Sequence, residues 1–156
     1  MNPSMWLKAL RVIPRIDKDE WQKLDVISKW LISTRAAVLI MTFLSAALAG
    51  IFAAQVGQFN FLRWLLVAFG LVLSHATNNL LNDYTDFAKG VDQDNYYRAE
   101  YGPHPLVHGL MTKRQLLTYA GVTGALAAAC GIVLIAMTDW NTAILMGLGV
   151  FFVLFY

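Results

Sequence analysis

The sequence predicts an all-α, multi-pass membrane helix bundle preceded by an amphipathic helix lying in the bilayer interface, and three observations carry that prediction. The composition is 58% hydrophobic and 14% charged, whereas soluble domains have about a quarter of their residues charged. Ala36 to Val56 forms an uncharged run of about 20 residues, enough to span a hydrocarbon core of roughly 30 Å, and further apolar runs follow it. Helix-forming segments dominate throughout, with no alternating strand pattern.

Residues 1–34 form the amphipathic N-terminal segment. A first apolar stretch, Met5 to Ile13, is interrupted by Pro14. Asp17, three residues before Glu20, gives a capping-box-like start to a helix reaching Ser33, with Trp21, Leu24, Ile27, Ser28 and Leu31 at helical spacing. Residues 35–156 form the membrane domain. Its first helix starts at Ala36, where Arg35 is expected to anchor it by snorkelling to the interface. Gln55 to Asn60, with Gly57, supplies a turn, and Phe61 to Phe87 is the second membrane helix, with Gly90 as its stop. Asp92 to Met111 is a loop long enough to be functional.

Thr112-Lys113-Arg114-Gln115 is a capping box opening a third helix to about Met137. Gly121, Gly124, Ala125, Ala128 and Gly131 give it small-residue ridges for close packing, and the single cysteine, Cys130, reads as a small packing residue among them. After a tight turn at Asp139 to Thr142, a fourth membrane helix begins at Ala143. It is expected to be incomplete at Tyr156, being about 14 residues against the roughly 17 to 25 a span requires.

Orientation follows from the basic residues. Seven precede the first span (Lys8, Arg11, Arg15, Lys18, Lys23, Lys29, Arg35), and Lys89, Arg98, Lys113 and Arg114 flank the long loop, while the other turns carry only Arg63. The N-terminus and the loop after the second helix are therefore expected on the cytoplasmic side of the plasma membrane. A net charge of +2 without a basic stripe interleaved with aromatics suits anionic headgroups and argues against a nucleic-acid partner.

The informative polar residues lie on the second helix. His75, Asn79, Asn82, Asp83 and Asp86 fall at steps of three and four and share one face of an otherwise apolar helix. Such placement is costly in a membrane unless it does something. Carboxylate and amide oxygens without a thiolate suit a hard cation such as magnesium, which binds through one or two carboxylates and leaves room for phosphate oxygens. The negative dipole end of the helix adds to that preference. Lys89 and Arg98 are candidates for contact with phosphate oxygens, Arg by its bidentate fork and Lys as a point charge, or else simple cytoplasmic anchors. His75 is open between a proton acceptor and a histidine hydrogen-bonded between helices.

The block Asn79-Leu-Leu-Asn82-Asp83-Tyr-Thr-Asp86-Phe-Ala-Lys89-Gly90-Val-Asp92 resembles the first aspartate-rich motif of the UbiA-type intramembrane prenyltransferases, most closely the branch that prenylates 1,4-dihydroxy-2-naphthoate on the way to menaquinone. Pro105-Leu-Val-His-Gly109-Leu-Met-Thr112 is similar to the segment before that family's third membrane helix. The resemblance implies transfer of a prenyl group from a polyprenyl diphosphate to an aromatic acceptor. It implies Mg2+ held by the catalytic pair Asp83 and Asp86, with Asp92, across Gly90 on the loop, as a further ligand, and Asn79, Asn82, Lys89 and Arg98 turned to the diphosphate. His104 and His108 depart from the family's usual residues, so the resemblance assigns them no role. The family carries a second aspartate-rich motif on another helix, and Asp139 is the only acidic residue after Thr112. The expectation is an N-terminal half, inactive without its missing C-terminal half. Alternatives are another branch of the family (4-hydroxybenzoate, chlorophyll, haem or archaeal-lipid prenylation), or a non-catalytic membrane subunit or ion transporter.

Overall fold

The computed structural model describes residues 1–90 and 102–155, and among these it is helical with no strand. The elements are α1 (Pro3–Arg11), α2 (Lys18–Lys23), α3 (Val26–Ser33), α4 (Ala36–Gln55), α5 (Phe61–Lys89), α6 (Lys113–Met137) and α7 (Trp140–Phe155). Helices α4, α5 and α6 are long and apolar enough to cross a membrane, and α7 is apolar but shorter. The chain divides into two compact units: one is Met1–Val38 with Asn79–Gly121, the other Leu39–Asn78 with the chain from Val122 on.

In the first unit the N-terminal segment differs from the single helix expected between Asp17 and Ser33. Asp17 does cap, accepting from the Glu20 N–H at 2.8 Å. The helix nevertheless stops at Lys23, because Asp25 caps again. Its carboxylate accepts from the backbone of Ile27 and Ser28, the Ser28 hydroxyl, the Trp6 indole and the Asn2 N–H. A carboxylate satisfied by so many donors from a non-helical backbone competes successfully with helix continuation. Desolvation pushes the Asp25 carboxyl up, but the Ser28, Trp6 and Asn2 donors outweigh it and hold it down at about 2. The break also resets the helical phase. Trp21, Leu24 and Leu31 are buried as expected, whereas Ile27 is exposed and Ile32 takes its place inside.

Thr112 and Gln115 form the expected reciprocal box: the Thr112 N–H donates to Gln115 Oε1 at 2.8 Å and the Gln115 N–H to Thr112 Oγ1 at 3.2 Å. At the end of α5, Gly90 takes φ 70° and its N–H closes on the Phe87 carbonyl, terminating the helix where glycine permits it.

The second unit is held by close helix approach. The Trp64 indole donates to the Ala46 carbonyl at 2.8 Å, across a surface where a Cβ on Gly50 would come within 2.6 Å of the same ring. Gly70 lies against the Cβ of Cys130, so Cys130 is the small packing residue its neighbours suggest. Gly124 faces Thr77, and Gly131 faces Met146. Gly121, expected on the same ridge, is exposed with nothing to meet its missing Cβ. Helix α7 begins at Trp140 rather than Ala143, because Asp139 is its cap and accepts from the Asn141 N–H at 2.9 Å.

Gly50→Leu should overpack the Trp64 contact and destabilise the protein by about 1–3 kcal/mol, lowering the thermal midpoint in detergent. An unchanged midpoint would show that Trp64 does not hold α4 against α5.

Candidate functional site

The C-terminal half of α5, the α3–α4 junction and the loop before α6 bring charged and polar groups together in the first unit. Asn79 and Asp83 are buried, and Asn82 and Asp86 are half-buried. The common polar face read from their spacing therefore differs in depth, with Asp83 innermost. The Asn79 amide donates to the Thr34 carbonyl at 2.8 Å, and the Thr34 hydroxyl donates to the Trp30 carbonyl at 2.8 Å. Both bonds fix the last turn of α3.

The next residue is Arg35, at φ 55°. This is the left-handed position after a helix C-cap that glycine usually fills, and a side chain there costs about 1–2 kcal/mol. The result is an ion pair between the Arg35 guanidinium and Asp83, with side chains 21% and 1% exposed. Arg35 was expected to snorkel to the interface, and the structure corrects this. A buried carboxylate needs a positive partner, and the bent junction delivers one.

The loop before α6 is organised by two imidazoles. The His104 N–H donates to His108 Nδ1 at 2.8 Å, while the Leu106 and Val107 N–H groups donate to His104 Nδ1 at 3.2 and 3.3 Å. Both Nδ1 atoms act as acceptors and so carry no proton. Burial, then the charge of Arg35, push the His104 imidazole down to about 4, against the opposing pull of Asp86. The Phe87 ring lies 6.5 Å from His104 and has Lys113 Nζ 5.2 Å from its centroid.

Of the residues singled out from the sequence, Asn79 and Asp83 are joined to the α3–α4 junction, Asp86 follows one turn later, and Lys89 is exposed at the helix end. Asp92 and Arg98 lie outside the described residues. His75 belongs to the second unit, where its Nδ1 shares a 2.7 Å hydrogen bond with the Thr42 hydroxyl. Arg35, His104 and Lys113 are members of the cluster that the sequence did not assign to it. The only advance signal was the pair of histidines at i and i+4 around Pro105.

Among the described residues no group of three or more His, Cys, Asp or Glu could hold a metal ion. Asp83 and Asp86 nonetheless offer two carboxylates one helical turn apart on α5, with the amides of Asn79 and Asn82 preceding them. That donor set fits magnesium, which typically takes one or two carboxylates and completes its shell with phosphate and water.

Against models of known families, the chain matches that of the UbiA prenyltransferase family over residues 43–156. The matched span includes the whole Asn79 to Lys89 block but begins after Arg35. No curated protein and no solved structure gives a match.

The histidine geometry carries a pH signature. Unfolded His104 takes up a proton near 6.5 and the folded residue holds it off until about 4. Its contribution is therefore complete above the upper value and lost as pH falls through the window. The thermal midpoint should fall more over that window in the wild type than in His104→Gln, and parallel curves would contradict the assignment of His104 Nδ1 as acceptor.

Proposed function

The chain belongs to the UbiA prenyltransferase family, and on that premise we propose that it transfers a prenyl group from a polyprenyl diphosphate to an aromatic acceptor of the 1,4-dihydroxy-2-naphthoate type, in menaquinone synthesis. Family and helices together make it an integral membrane protein of prenyltransferase type. The observation that carries the proposal further is the buried, ion-paired Asp83 on one helix with Asp86, at the end of a membrane-length helix. The Lys89-Gly90-Val91-Asp92 continuation supports the naphthoate branch over its relatives.

The reaction breaks the allylic C–O bond, the electron pair leaving with the diphosphate, and a ring carbon of the acceptor forms the new C–C bond and restores aromaticity by losing the proton, or the carboxyl group as CO2, that it carried. Charge building on the leaving group is the main barrier. In this reading Asp83 and Asp86 would hold Mg2+, with Asp92 as a further carboxylate, and the cation would neutralise diphosphate charge. Asn79 and Asn82 orient oxygens at that site. Lys89 and Arg98 take diphosphate oxygens from the helix end and the loop. Burial of Leu80 and Asp83 keeps water from the reacting carbon. The site opens to the cytoplasmic side of the plasma membrane, and turnover draws on a second aspartate cluster from a C-terminal half.

Binding is the direct readout. Titration calorimetry in detergent should show magnesium-dependent binding of a prenyl diphosphate that weakens at least about tenfold (about 1.4 kcal/mol) in Asp83→Asn and in Asp86→Asn. Unchanged affinity in either variant would remove that residue from the site. For orientation, Lys89→Cys in a Cys130→Ala background should resist an impermeant thiol reagent added outside intact cells, and labelling from outside would reverse the topology.

A further inference from the structure

Among the described residues Arg35 is the one non-glycine with positive φ, and its neighbours hold it there. Ser33 and Thr34 are both fully buried, and their hydroxyls donate back to the Lys29 and Trp30 carbonyls. Asn79 closes on the Thr34 carbonyl from α5. Helical wrapping, a buried hydroxyl pair and a cross-helix amide thus converge on a junction whose visible product is the direction of one guanidinium. That guanidinium meets Asp83, the carboxylate to which the proposed function gives the cation.

A guanidinium and a divalent cation compete for one buried carboxylate, because their like charges repel at close range in a poorly screened site. A diphosphate changes the balance. It brings several negative oxygens, and a guanidinium, with five donors in a planar fork, suits them as well as it suits a carboxylate. Arg35 retains 21% exposure, so it is the partner of the pair with room to turn. We infer that Arg35 is a placeholder cation on Asp83 that makes divalent-cation binding conditional on a diphosphate. Without the diphosphate, Asp83 stays with Arg35 and the site binds a bare metal ion only weakly. With it, Asp83 passes to the cation and Arg35 to the diphosphate oxygens, so no buried charge is left unpaired at either stage. The two ligands are then coupled through one side chain, and each raises the affinity for the other.

This inference rests on the proposed cation role of Asp83. It is tested with the full chain in detergent, counting protein-bound Mn2+ by electron paramagnetic resonance, with and without farnesyl diphosphate. Arg35→Gly is the informative variant, since glycine adopts the junction's φ without strain and removes only the placeholder. Arg35→Gly should bind Mn2+ alone about tenfold more tightly than the wild type, and Arg35→Lys should stay near the wild type because it keeps the charge. The gain should vanish in Arg35→Gly/Asp83→Asn. Equal or weaker Mn2+ binding by Arg35→Gly, with the wild type still binding Mn2+ in the presence of farnesyl diphosphate, would overturn the placeholder alone. A wild type that binds no Mn2+ even with farnesyl diphosphate would overturn the cation site itself, and the inference with it.

Discussion

Asp83 has 1% of its side-chain surface exposed, and a carboxylate in that position must meet positive charge or be protonated. Arg35 meets it, and much of the first unit is arranged so that it can. The guanidinium reaches Asp83 from a left-handed junction. That junction is fixed by the last turn of α3, and the start of α3 is fixed by Asp25, whose donors come from α1 as well as from α3 itself. A chain of hydrogen bonds thus runs from the N-terminal helix to the innermost acidic residue. The amphipathic segment has a positioning role in addition to any affinity for the membrane surface.

The loop before α6 extends the same logic. His104 feels Arg35 and Asp86 at once, with opposite effects, so the loop's shape and the charge of the acidic helix end are linked. The neutral His104 imidazole shapes the turn by accepting the Leu106 and Val107 N–H groups, which avoids placing another positive charge beside Arg35. Lys113, the first residue of α6, lies over Phe87 at the end of α5, so a cation also borders the cluster there.

The spans and the Asn79 to Lys89 block were legible because they express local rules. Apolar run length sets the helices, and polar residues at steps of three and four on an apolar helix stand out against it. Thr112 and Gln115 announced their helix start for the same reason. Arg35 was not legible: a basic residue at the head of a membrane helix satisfies the snorkelling rule completely, and its partner is 48 residues away. The break at Asp25 was hidden because Leu24, Ile27 and Leu31 continue a helical spacing through it, and the Trp6 and Asn2 donors that favour the second cap come from a different element. The turn at Asp139 was legible, but its role as the cap was not, so the helix was started three residues late. What was missed at Arg35 and Asp25 depended on side-chain partners distant in sequence, which periodicity does not encode.

The central claim is that Arg35 and Asp83 act as one unit. A double-mutant cycle on thermal unfolding in detergent, using Arg35→Met, Asp83→Asn and the combination, measures this directly. The account predicts that the two single changes are each destabilising and strongly non-additive, with a coupling of about 1–3 kcal/mol. Additive effects with coupling near zero would show that the guanidinium and the carboxylate do not depend on each other.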